Sequence, residues 1–179
     1  MNFRTNQLLK KIHNKKVGLF IENANWFYPQ RELGWKISFN KLNHFLKEHC
    51  QLVALKLYAG TPLDKDELKK FYKFCKIVKK AGFTIETKPL KKIITDRKTK
   101  RYEYKCNFDV EIAFDIARHI NKIDTVIIGS GDSDFVEARN YVLENKKGFI
   151  ILCFEKGVAW EMRKGHHIFL ENIKKEVCY

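Results

Sequence analysis

Thr125-Val126-Ile127-Ile128-Gly129-Ser130-Gly131-Asp132-Ser133-Asp134-Phe135 is the stretch on which the fold turns. Its first four residues read as a buried strand. Gly129 to Gly131 allow a tight turn, and Phe135, Ala138 and Val142 then recur on one face of a helix. Asp132 and Asp134 therefore stand where a strand gives way to a helix, the edge at which open α/β sheets bind ligands. Two close carboxylates repel unless something positive lies between them, and a divalent cation such as Mg²⁺ takes hard oxygen ligands. The alternative is a helix N-cap beside a spare surface acid, since Asp and Ser are favoured caps. This stretch alone leaves both readings open.

The same alternation of strand and helix extends in both directions. Strands are expected at 17–21, 52–58, 83–88, 125–128 and 149–154, with a last short one at 167–170. Helices are expected from the Ser38 cap to about Cys50, from Asp64 to near Gly82, over 108–120, over 133–144 and over 158–164. Residues 26–29, Trp-Phe-Tyr-Pro, read as an aromatic loop, in which Trp26 and Tyr28 either stack on bases or pack on the core. Residues 1–16 read as a basic N-terminal extension with a short helix near Leu8, and 17–179 as one domain. Strands alternating with helices imply a parallel sheet covered on both faces.

The net charge of +14 over 179 residues favours a polyanionic partner, of which nucleic acids are the commonest. The charge is concentrated. Lys88, Lys91, Lys92, Arg97, Lys98, Lys100, Arg101 and Lys105 face only Asp96 and Glu103 within one segment, with Tyr102 and Tyr104 interleaved. Such a ribbon can track phosphates and stack bases; a solvated hairpin is the alternative. Five scattered cysteines without a C-x-x-C pair suggest reduced thiols and a cytoplasmic setting. No apolar run approaches a membrane span, and the N-terminus lacks the long apolar segment of a signal peptide.

Two further acids belong with Asp132 and Asp134. Glu22 directly follows the first strand, so its side chain should reach the same sheet edge. Asp109 falls on the helical face defined by Ile112, Ala113, Ile116, Ala117 and Ile120, one turn earlier. Burial there without a partner is costly, so a metal or a capping role is implied. Glu111 and Asp115 are expected to be solvated, or Asp115 to rim the site. His166 and His167 are adjacent and lack a third ligand at zinc spacing. Gly129-Ser130-Gly131 matches no P-loop or dinucleotide fingerprint.

Three motifs carry a family resemblance. Ile21-Glu22-Asn23-Ala24-Asn25 resembles the hydrophobic-Asp-x-x-Asn opening of the NYN domains. Lys105 to Asp115 resembles their Lys-x-x-x-Asp-x-x-x-x-x-Asp helix start, and Ser130-Gly131-Asp132-Ser133-Asp134-Phe135 their Ser-Gly-Asp-Ser-Asp-Phe signature. The likeness is to the bacterial LabA-like branch of the PIN-like nuclease superfamily. It implies a three-layer Rossmann-like PIN/NYN α/β fold with core strand order 3-2-1-4-5, a Mg²⁺ or Mn²⁺ site and endoribonuclease chemistry. By motif match, Glu22, Asp109, Asp132 and Asp134 would be the catalytic and metal-binding acids. Asn25, Ser130 and Lys105 would position substrate. Lys91, Lys92, Arg97, Lys98, Lys100 and Arg101 are the expected contacts to single-stranded or structured RNA.

One departure stands out: Glu22 occupies the family's Asp position. An extra methylene shifts the carboxylate by about one bond, and small displacements can weaken catalysis severely. The same fold acting as an RNA-binding module is therefore a rival reading. A haloacid-dehalogenase phosphatase is less consistent, because Gly-Ser-Gly separates the strand from Asp132 and Phe135 follows the acid pair. A Toprim-like domain also pairs a strand-end Glu with Asp-x-Asp but does not account for the Asp109 helix. Monomer and homodimer both fit the sequence.

Overall fold

The structure is a computed structural model describing residues 1–96 and 101–179. The chain runs α1 (Phe3–Lys11), β1 (Lys16–Glu22), α2 (Asn23–Leu33), α3 (Phe39–Lys47), β2 (Gln51–Thr61), α4 (Lys65–Lys80), β3 (Thr84–Pro89), β4 (Lys91–Asp96) and β5 (Arg101–Lys105). It continues through α5 (Asp109–His119), β6 (Thr125–Gly129), α6 (Val136–Glu144), β7 (Gly148–Cys153), α7 (Trp160–Arg163), β8 (His166–Phe169) and α8 (Lys174–Val177). The central sheet has the order β3-β2-β1-β6-β7-β8, with every neighbouring pair parallel. The expected 3-2-1-4-5 core is thus present, and β8 adds a sixth strand beyond β7. β4 and β5 form a separate antiparallel hairpin.

Strand periodicity sorts the core into two layers. Leu19, Ile21, Leu57 and Ile127 face α1, α3, α4 and α8 through Leu8, Leu42, Val78 and Val177. Phe20, Tyr58, Val126 and Ile128 face α5 and α6 through Ile112, Ile116 and Val142. Successive strand residues point to opposite sides, so each central strand serves both layers and is apolar almost throughout.

One expectation is extended and one revised. The short helix expected in the basic extension is α1, and Leu8, Leu9 and Ile12 are almost wholly buried in the sheet's first layer. Their spacing puts them on one helical stripe, and burying that stripe outweighs the pull of Lys10 and Lys11 toward water. The expected aromatic loop is helix α2, which ends at Gly34 in the left-handed conformation (φ 69°). Trp26 is fully buried, and its Nε1 donates to the Leu152 carbonyl at 3.2 Å. Tyr28 remains exposed. No helix among the described residues is long and apolar enough to cross a membrane, and all five cysteines are free thiols.

Candidate acidic site

The site begins with the register of the two central strands. Ile21 of β1 lies beside Gly129 of β6, and a Cβ on Gly129 would come within 2.9 Å of the Ile21 Cα. Glycine is therefore required for this close approach, which brings the end of β1 against the turn that follows β6. Gly131 is equally constrained, because a Cβ there would strike the Gly157 carbonyl. Its own carbonyl accepts from Ala159 N–H at 2.8 Å.

Glu22 lies on the floor, only 8% exposed. Its Oε2 accepts from Asn25 Nδ2 at 2.6 Å and from Ser130 Oγ at 3.0 Å. Asn25 Oδ1 accepts from Gly131 N–H at 3.4 Å, and Ser130 Oγ accepts from Asp132 N–H at 3.2 Å. Asn25 and Ser130 thus clamp one carboxyl between the two strand ends. Burial pushes the Glu22 pKa up to about 7; the nearby charges of Asp109 and Asp132 add to the rise, while the bonds from Ser130 and Asn25 oppose it.

Asp109 is the first residue of α5 and partly buried. Asn107 holds it at both ends: Asn107 Oδ1 accepts from Asp109 N–H at 2.9 Å, and Asn107 Nδ2 donates to Asp109 Oδ2. Burial also raises the Asp109 pKa, reinforced by the charges of Asp134 and Asp132. Asp132 and Asp134 are exposed on the rim. Asp132 Oδ1 accepts from Asp134 N–H at 3.2 Å and so caps the turn leading into α6. The capping reading is therefore correct as far as it goes, yet a carboxylate offers about four lone-pair sites, and one cap does not exhaust them.

Acids from β1, from the start of α5 and from the loop after β6 thus act on one another at one edge of the sheet. Among the described residues, no three His, Cys, Asp or Glu side chains are gathered closely enough to cage a metal ion. The donor set is nevertheless the right one for a hard cation. Mg²⁺ commonly keeps several waters and binds through one or two carboxylates plus substrate phosphate, which suits an open acidic edge. A cation would also relieve the repulsion that adds to the effect of burial at Glu22 and Asp109. Two hollows of about 290 and 300 Å³ lie elsewhere, one lined by Asn6, Leu9, Lys10, His13 and His49, the other along 52–56. Neither includes any of the four acids.

The outlying residues divide. Lys91 and Lys92 lie on β4, Lys105 ends β5 opposite Lys91, and Arg101 begins β5. Arg97, Lys98 and Lys100 lie outside the described residues. Asp115, expected to be solvated, is instead only 5% exposed. Its Oδ2 accepts from Lys56 Nζ and from Tyr58 Oη, each at 2.6 Å, and its Oδ1 from Arg118 at 3.2 Å. The helical wheel placed Asp115 off the apolar face, but β2 brings it a cation and a hydroxyl, and these make burial affordable. Glu111 pairs with Lys88, whose Nζ also donates to the Asn107 carbonyl at 3.3 Å. Asn107 was missed in the sequence, although an Asn just before a helix start is a familiar capping signal.

Comparison with known proteins agrees with this architecture. The family model of the NYN domain matches residues 16–171. The low amplitude and bright protein LabA of Synechococcus elongatus is 25% identical over 158 residues, 87% of this chain and 83% of that protein. A crystal structure of a protein of unknown function from Vibrio parahaemolyticus superposes with a TM-score of 0.71 at 22% identity, covering 88% of this chain and 93% of that one. All three motifs lie within the matched span, in order.

Proposed function

This chain belongs to the NYN domain family, in the LabA-like branch of the PIN-like nucleases, and on that premise we propose that its acidic edge hydrolyses RNA phosphodiester bonds as a divalent-cation-dependent endoribonuclease. The observation that carries this reading is the clamped Glu22 carboxyl at the edge where the charges of Asp109 and Asp132 converge. A bound Mg²⁺ or Mn²⁺ would supply a hydroxide-like water and offset charge on the scissile phosphate.

The chain's own residues do the rest. Asp132 and Asp109 would hold the cation, with Asp134 supporting it directly or through water. Asn25 and Ser130 engage Oε2 of Glu22 and fix the plane of its carboxyl. Glu22 Oε1 is then the atom that orients the attacking water and accepts its proton, and a pKa near 7 suits a general base at neutral pH. Lys91, Lys92, Lys105 and the basic residues at 97–101 hold the RNA backbone electrostatically. We assign catalysis to residues 17–179, with α1 covering one face of the sheet, and the free thiols favour a cytoplasmic setting.

The binding-module reading keeps one specific support: Glu22 stands where the family has Asp and is already engaged in internal hydrogen bonds. Incubation of purified protein with single-stranded and structured RNAs, in Mg²⁺, Mn²⁺ or EDTA, separates the two. Metal-dependent cleavage that disappears in Asp132→Asn establishes the nuclease. Tight RNA binding without cleavage in any metal establishes the module.

A further inference from the structure

The β4–β5 hairpin carries side chains that its two strands do not cover. Ile94 is 62% exposed, Tyr102 50% and Tyr104 44%. A two-stranded ribbon has no core of its own, so such groups stay in water unless a partner lies on them. The register sets Ile94 opposite Tyr102 and Lys92 opposite Tyr104, so these four residues share one face. The tyrosine rings meet edge to face, with centroids 5.7 Å apart and planes at 79°. Lys92 Nζ stands 3.7 Å from the Tyr102 ring centroid. The root of the hairpin is tied to the sheet edge: Leu90 N–H donates to the Thr61 carbonyl at 2.9 Å, and Lys91 lies opposite Lys105. The chain passes from Lys105 to Asp109 within four residues.

We propose that this face is a stacking site for an unpaired base of an RNA strand, with Lys92 at the phosphate beside it; the inference rests on RNA being the ligand of the acidic edge. A base offers an apolar π-face and an anionic backbone, and this face presents two aromatic rings with a cation beside one of them. Because the rings stand nearly at right angles, a base lying flat on one presents its edge to the other. The corner therefore takes one base at a time. A base inside a duplex is covered on both faces by its neighbours and cannot enter. Charge favours this occupant over a second copy of the chain, which would set its own +14 against Lys91, Lys92 and Lys105.

The test is fluorescence anisotropy in EDTA with the full chain and three probes of equal length: a single-stranded RNA, an abasic ribose-phosphate strand and a blunt RNA duplex. Tyr102→Leu and Tyr104→Leu should weaken the single-stranded probe by roughly tenfold each. Both should leave the abasic and duplex probes unchanged, and Tyr102→Phe and Tyr104→Phe should bind like wild type. Thermal unfolding at the wild-type midpoint guards against a misfolded ribbon, and the Phe variants keep the comparison informative if a Leu variant unfolds. No loss on the single strand, or equal loss on single-stranded and abasic probes, overturns the stacking site. So does a change in sedimenting mass on Leu substitution, which would assign the face to a second copy. Cleavage in Mg²⁺ is scored separately. Tyr-dependent base binding without cleavage removes the nuclease and keeps the stacking site; cleavage with Tyr-independent binding does the reverse.

Discussion

Replacing Glu22 by Gln should make the protein more stable at neutral pH and almost neutral in effect at acid pH. Gln keeps the shape and presents an amide oxygen to Asn25 Nδ2 and Ser130 Oγ, so both hydrogen bonds survive. What disappears is the cost of holding a buried charge beside Asp109 and Asp132. The folded carboxyl is raised from its ordinary 4.5 to about 7 and so holds its proton more tightly than the unfolded one. The stability it contributes is whole below pH 4.5 and is lost as pH rises through 7. At about 1.4 kcal/mol per pKa unit, that loss is about 3 kcal/mol. The stability difference between Glu22→Gln and wild type should therefore be small at pH 4, climb between pH 5 and 7, and level off near 3 kcal/mol by pH 8. Urea titrations followed by tryptophan fluorescence, repeated across that range, measure it. Most other acids titrate alike in both proteins and cancel in the difference. Adding Mg²⁺ should stabilise wild type more than the variant and narrow the gap, because a ligand bound only by the folded state raises its stability. A gap that stays constant from pH 5 to 8 would refute the buried, charge-crowded carboxyl.

Asp132→Asn should abolish metal-stimulated RNA cleavage while leaving the thermal midpoint and much of the RNA affinity intact, since Asn also serves as an N-cap; gel assays and calorimetry check the two halves. Glu22→Asp should raise cleavage if Glu22 is a weakened ligand and lower it if the pocket is built around the longer side chain; the clamp by Asn25 and Ser130 favours the fall, read as initial rate on a single-stranded RNA. Asp115→Ala leaves Lys56 Nζ, among the described residues, with the more distant Glu86 at 3.9 Å and strips Tyr58 Oη of its acceptor, so unfolding free energy should drop by about 3 kcal/mol. Neutralising Lys91 and Lys92 should weaken RNA binding at low salt and flatten its salt dependence by about 0.7 log units per charge removed, for a single strand; an unchanged slope would mean that these lysines are merely solvated.

Much of the site was legible from local pattern. The apolar run at 125–128, the glycine turn and the following helical spacing put Asp132 and Asp134 at a strand end, and a parallel sheet gathers all such ends on one side. The same reasoning brought Glu22 there, and the helical wheel brought Asp109 to the head of its buried face. These inferences succeed because strand and helix periodicities are properties of neighbours in sequence. Composition could likewise announce a polyanion-binding surface, because net charge needs no fold to be counted.

Long-range pairing decided the remainder. That Asp115 is buried follows from Lys56 and Tyr58 on β2, which no spacing within α5 can reveal. That Asn25 and Ser130 grip Glu22 follows from β1 and β6 lying side by side at a glycine-only separation. The raised pKa of Glu22 exists only once those strand ends meet and exclude water. How α1 packs on the sheet, and that Trp26 packs on the core instead of stacking on a base, were left open by sequence for the same reason: the partners, β8 for the one and the Leu152 carbonyl for the other, lie far along the chain. Sequence by itself determined which residues stand at the edge of the sheet. The tertiary structure alone decided which of them meet through a hydrogen bond or a charge, because those energies depend on distance and dielectric, and folding sets both.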